Sequence, residues 1–190
     1  MDSNAKKAIG FVAVLLLALG VVMGGGSDSK KSNTASKSQT VTTKTSAQNK
    51  QQNILVPDDV LDKAIKLTRK DVLGKDEQGD KYIRQLAIKV DQKNKKIGIF
   101  AIMPAATKPK YSLDLADTLT RRLAANVANI DNRFRQPGGK DYWGGIWDIY
   151  EITMGISTIA NAENNQKWYV FEIVQPGVQG HHKWKMQYGN

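Results

Sequence analysis

The sequence predicts an α+β domain in residues 54–190, built as a two-layer antiparallel sheet with helices on one face and the order αββαββ. Three observations lead there. Two stretches repeat apolar residues at helical spacing, and four carry strand-like alternation or short apolar runs. They fall in the order helix, strand, strand, twice over, which is the pattern of helices packed on an antiparallel sheet. Residues 1–53 stand apart, with one apolar run and then a long polar stretch.

The first helix is announced by Val56-Pro57-Asp58-Asp59, where proline and acids suit the free amides of an opening turn. Leu61, Ala64, Ile65, Thr68 and Val72 follow at helical spacing, and Gly74 supplies the stop. Asp62 and Lys66 are placed to pair along the outer face. A charged loop is expected at 75–81. In 82–90, Leu86, Ile88 and Val90 alternate with Ala87 and Lys89, the signature of a strand with one buried face. The polar turn 91–95 leads into KIGIFAIM at 96–103, which is apolar on both faces and reads as a central strand.

After a loop with two prolines, Ser112 is expected to cap a second helix, with Asp114 in its first turn. Ala116, Leu119, Leu123, Val127 and Ile130 form its apolar stripe. Asp117 and Arg121 sit four apart with the acid first, the favourable order, and Arg121 and Arg122 are expected on the solvent side. Residues 146–160 and 168–174 read as a second hairpin, closed by Pro176-Gly177.

The chain begins with Lys6 and Lys7 ahead of AIGFVAVLLLALGVVM at 8–23. Continued through Gly26, this stretch would be roughly 28 Å long as a helix at ~1.5 Å per residue, close to the ~30 Å of a bilayer's hydrocarbon core. Residues 1–26 therefore read as a signal peptide or membrane anchor. The lysines stay inside, and the C-terminal domain is extracytoplasmic, or exported if the segment is cleaved. Residues 27–53 are almost wholly Ser, Thr, Lys, Asn, Gln and Ala, too polar to offset chain entropy by burial, so a disordered linker is expected. At that length its root-mean-square reach would be roughly 29 Å.

The run Val21-Val22-Met23-Gly24-Gly25-Gly26-Ser27-Asp28-Ser29-Lys30-Lys31 resembles the signal and tether of a bacterial lipoprotein. The resemblance covers residues 5–31 and implies a lipidated cysteine where this chain has Gly25. Without that thiol there is no lipid attachment, which leaves an uncleaved anchor or a signal cut near the glycines.

Composition narrows the function. The chain has no cysteine and two histidines, adjacent at His181 and His182. Disulfides, thiolate metal sites and cysteine nucleophiles are thereby excluded, and neither a metal centre nor a cofactor is expected. The net charge of +10 invites a nucleic-acid reading. However, residues 1–53 hold seven Lys and two Asp, a net +5, so half the excess lies in the linker and anchor. Dedicated nucleic-acid binding is the lesser reading.

Chemistry is best sought in the irregular stretch 131–145, DNRFRQPGGKDYWGG. Arg133, Phe134, Arg135, Lys140, Tyr142 and Trp143 interleave cations with aromatics, a combination that can contact a polymer or protein partner. Phe134 and Trp143 can equally seal the core while the glycines make tight turns. Trp184 in the final segment suggests docking of some kind. Asp148 and Glu151, three apart on an expected strand, face opposite ways and do not form a hydrolytic pair by themselves. No catalytic residue is therefore assigned. The expectation is a non-enzymatic accessory module of the bacterial cell envelope, binding an envelope protein or wall polymer. Its rivals are an anionic-polymer binder of an uptake or transfer apparatus, and a small cell-wall hydrolase using Asp141, Asp148 or Glu151.

Overall fold

The computed structural model describes residues 54–73, 83–162, 167–178 and 182–188. The expected signal or anchor (1–26), the linker (27–53), the stop at Gly74 and the charged loop 75–81 lie outside the described residues. Among the described residues no helix is long and apolar enough to cross a membrane.

Helix α1, Asp58–Val72, starts at Pro57, whose carbonyl accepts the Val60 and Leu61 amides at 3.1 and 3.0 Å. Asp58 and Asp59 occupy its first turn and Arg69 and Lys70 its last, each favourable to the helix dipole. The ion pair on its outer face joins Lys63 to Asp59 at 3.1 Å, one turn before the expected Asp62–Lys66. Strands β1 (Gln85–Asp91) and β2 (Lys96–Met103) form the expected hairpin, with Ile88 opposite Ile99. Its turn places Lys95 at φ 53°.

Helix α2, Tyr111–Ile130, follows. Lys110 takes the N-cap position, and Ser112, expected as the cap, lies inside the first turn and is buried. The turn 108–112 supplies the reason: Pro109 already accepts the Ser112 amide at 2.9 Å, so helical bonding begins earlier. Leu119, Leu123 and Val127 are fully buried.

The expected strand 146–160 is shorter, β3 being Glu151–Thr158. A 3-10 turn, Gly145–Asp148, precedes it and a short helix α3, Ile159–Ala162, follows it. Strand β4 is Val170–Val174. The sheet order is β1-β2-β3-β4. The outer pairs are antiparallel, but β2 and β3 run parallel, with Ile99 opposite Met154, which corrects the wholly antiparallel sheet expected. A long helix returns the chain to the end of the sheet where β2 began, and that is the connection a parallel pair requires.

Both faces of the central strands are covered. Ile97, Ile99, Ala101 and Met103 share one core with Leu61 and Ala64 of α1, Leu119 and Leu123 of α2, and Trp143 and Trp147. Phe100 and Ile102 join Ala162 and Trp168 in a smaller cluster. An apolar run on both faces is thus buried on both, as a central strand should be.

Candidate functional site

The irregular stretch 131–145 is held from beneath by α2. Arg121 donates from Nε to Asp117 Oδ2 at 2.7 Å. From Nη1 it donates to the carbonyls of Gly139 and Tyr142 at 2.9 and 3.2 Å, and from Nη2 to that of Lys140 at 2.6 Å. The expectation that Arg121 faces solvent is corrected here. A guanidinium carries several donors in a fixed fork, and this one gathers three loop carbonyls that would otherwise be left to water. Arg122 is half exposed, 3.8 Å from Asp71. The second oxygen of Asp117 accepts the indole N–H of Trp143 at 2.9 Å, so one acid orients both the staple and the loop's aromatic anchor.

The rest of the loop folds on local contacts. Asp131 accepts Arg133 at its side chain, which holds the Asp131 carboxyl below its ordinary range. Phe134 is buried beside this pair. Arg135 lies over the Tyr142 ring, 4.5 Å from its centroid, while its carbonyl accepts the Gly145 amide at 2.8 Å. Gly138 donates to Tyr142 O at 2.9 Å, closing a tight loop in which Gly139 takes φ 57°. Tyr142 Oη donates to Asp148 at 3.0 Å. Burial, then the Asp148 charge, push the Tyr142 phenol up to about 12.

Gly144 permits the approach of loop to helix. Its φ is 121°, and a Cβ there would stand 2.6 Å from the Ala124 Cβ. The chain then drops into the 3-10 turn, where Trp147 is buried and donates from Nε1 to Thr120 O at 3.1 Å.

Segment 182–188 joins the same region. Trp184 stacks on Trp143 with centroids 5.1 Å apart and planes at 6°. His182 stands edge-on to both indoles and 3.1 Å from Glu172 of β4. The other oxygen of Glu172 accepts the Lys185 amide. The Gln187 amide donates to Tyr169 O at 2.8 Å, and Tyr188 stacks on Tyr169.

Of the seven residues singled out from sequence, Phe134, Trp143 and Trp184 are thus buried, and Tyr142 is partly buried. Arg133, Arg135 and Lys140 are exposed. Trp143 and Trp184 come together, as do Arg135 and Tyr142. Sequence reasoning missed Asp117 and Arg121 as loop supports, although their spacing was visible, and gave no sign of Glu172 or Tyr169 as supports for the final segment.

The carboxylates are engaged structurally. Asp148, expected on a strand, ends the 3-10 turn and accepts Tyr142. Glu151 lies 3.2 Å from Lys96 and accepts Gln175 at 2.8 Å. Asp141 is exposed. Among the described residues no group of three or more His, Cys, Asp or Glu is placed to hold a metal ion. What the arrangement offers chemically is a braced ledge of cations beside an aromatic ring, suited to contact rather than to proton transfer. Comparison of the chain with family models, with curated proteins and with solved structures gives no match.

Proposed function

We propose that the chain is a membrane-tethered or exported, non-enzymatic accessory module of the bacterial cell envelope, and that residues 131–145 form its contact surface for an envelope protein or wall polymer. The reading joins two things. The sequence has an apolar run, a polar spacer and a folded module in that order, which suits a domain held a few nanometres from a membrane. The observation that carries the contact surface is the Arg121 staple, which braces the loop while Arg135 and Lys140 remain exposed. A braced loop loses little conformational freedom on binding, so more of its contact energy survives as affinity. In this reading the module is a two-layer body, with α1 and α2 over one face of the sheet.

The test is fractionation of cells making the full chain, followed by co-purification after detergent solubilisation. The chain is expected in the membrane or exported fraction with a partner or wall polymer attached. Arg135→Ala with Lys140→Ala is expected to lower that recovery severalfold without changing the thermal unfolding midpoint, because both side chains are exposed. Recovery of the chain only from the cytosol, or turnover of a substrate dependent on Asp141 or Glu151, would overturn the reading. Retention on wall polymer or DNA that falls steeply with salt would identify the partner as polyanionic.

A further inference from the structure

Segment 182–188 is bound in the manner of a peptide ligand. Its residues Lys183, Lys185, Gln187 and Tyr188 are exposed, and Trp184 alone is buried. One aromatic anchor flanked by solvent-facing residues is a recurrent form of peptide recognition, in which the anchor supplies most of the binding energy. By contrast, every residue of β2 after Lys96 is buried. Trp184 lies flat on Trp143, the Lys185 amide reaches Glu172, the Gln187 amide reaches Tyr169 O, and Tyr188 covers Tyr169.

The fit of this resident is imperfect. Trp184 Nε1 is buried and finds no hydrogen-bond partner among the described residues. A buried donor left unmade costs free energy that a different anchor, or an anchor seated slightly differently, would recover. The receiving surface also carries an acid, Glu172, whose side chain is largely buried and which faces a segment bearing two lysines and a histidine.

We propose that the groove lined by Trp143, Tyr169 and Glu172 is an acceptor for a linear protein segment with an aromatic anchor flanked by lysines, and that segment 182–188 occupies it in the isolated chain. The proposal rests on the reading of this molecule as a binding module, and it names a protein segment as the partner. Such a segment displaces residues 182–188 and stacks its own ring on Trp143. The acceptor groove adjoins the cationic ledge through Tyr142 and Trp143, so one partner can engage both.

The experiment is fluorescence polarisation of a labelled synthetic peptide of residues 182–188 against the full chain carrying Trp184→Ala. Saturable binding is expected. Binding to the unaltered chain is expected to be roughly tenfold weaker or more, because its own segment competes, and a peptide with its tryptophan replaced by alanine is expected not to bind. Absence of saturable binding to a folded Trp184→Ala chain overturns the proposal. Should that variant not fold, amide hydrogen exchange on the unaltered chain decides the matter. Lys185 and Gln187 amides that open faster than those of β2 and β3 support a displaceable segment, and amides that exchange only with global unfolding overturn it. Peptide binding that persists while Arg135→Ala/Lys140→Ala leaves recovery from membranes unchanged counts against the ledge and not against the groove.

Discussion

The guanidinium of Arg121 and the carbonyl of Lys140 are joined at 2.6 Å across a gap of 19 residues, and this bond ties the irregular loop to the helix beneath it. The same guanidinium holds Gly139 and Tyr142 through its other terminal nitrogen. Replacing Arg121 by Ala removes all three loop bonds and the Asp117 pair together. Charge-assisted bonds of this kind are worth about 1.5–3 kcal/mol each when shielded, and these are partly exposed, so a total loss of about 1–3 kcal/mol is expected. Lys at this position keeps the charge but cannot reproduce the fork, and most of the loss should remain. Denaturant unfolding measures the total, and hydrogen exchange at 138–145 shows whether the loss is local.

Gly144 tests the packing of loop on helix. Its φ of 121° disfavours any residue with a Cβ, and the added carbon would meet the Ala124 Cβ at 2.6 Å. Strain and overpacking together set the cost of Gly144→Ala at about 2–4 kcal/mol. Adding Ala124→Gly removes the clash and leaves the backbone strain, so the double variant should recover part of the stability. Full recovery would show that the backbone angle carries no cost there, and no recovery would show that the clash is not the cause. Thermal unfolding of the three variants separates these outcomes.

The features legible in the sequence are those governed by local periodicity. Lys96–Met103 reads as a doubly buried strand from its composition alone, and α2 follows from Leu119, Leu123 and Val127. The parallel pairing of β2 with β3 was not legible, because an α-helical connection admits either direction until the return point is known. The start of β3 was misplaced for a related reason. Gly145–Asp148 is apolar enough to pass for strand, but Gly144 at positive φ turns the chain into a 3-10 turn. At the site, the aromatic and basic residues of 131–145 are visible as composition. Their division into buried anchors and exposed cations depends on Asp117 and Arg121, which approach the loop only after folding.

Gly155 makes the corresponding test on the other side of the sheet. A Cβ there would lie 2.5 Å from Phe100 Cδ1 and 3.0 Å from Trp168 Cζ3, atoms of two rings that meet edge to face. Both rings are fully buried and have little room to yield. Gly155→Ala is expected to destabilise by about 1–3 kcal/mol, through overpacking rather than backbone strain. Because Trp168 is the ring displaced, a change in near-ultraviolet circular dichroism should accompany the loss. Stability lowered with an unchanged aromatic spectrum would place the strain elsewhere.

Tyr142 supplies a pH test of the loop. Its phenol, pushed up from 10.0 to about 12 by burial and by the neighbouring Asp148 charge, holds its proton longer in the folded chain than in the unfolded one. A group of this kind binds more protons when folded, so stability falls as pH rises across the interval. The contribution is fully present below about 10 and is lost as pH approaches about 12. Tyr142→Phe removes the titrating group, the bond to Asp148 and no ring, so Arg135 keeps an aromatic face beneath it. Its unfolding midpoint should therefore fall less between pH 9.5 and 11.5 than that of the unaltered chain, in an experiment spanning about the ordinary tyrosine range. Ultraviolet titration of the phenolates gives the independent check. The latest-titrating tyrosine should disappear in Tyr142→Phe, and its persistence would assign the high value to another phenol.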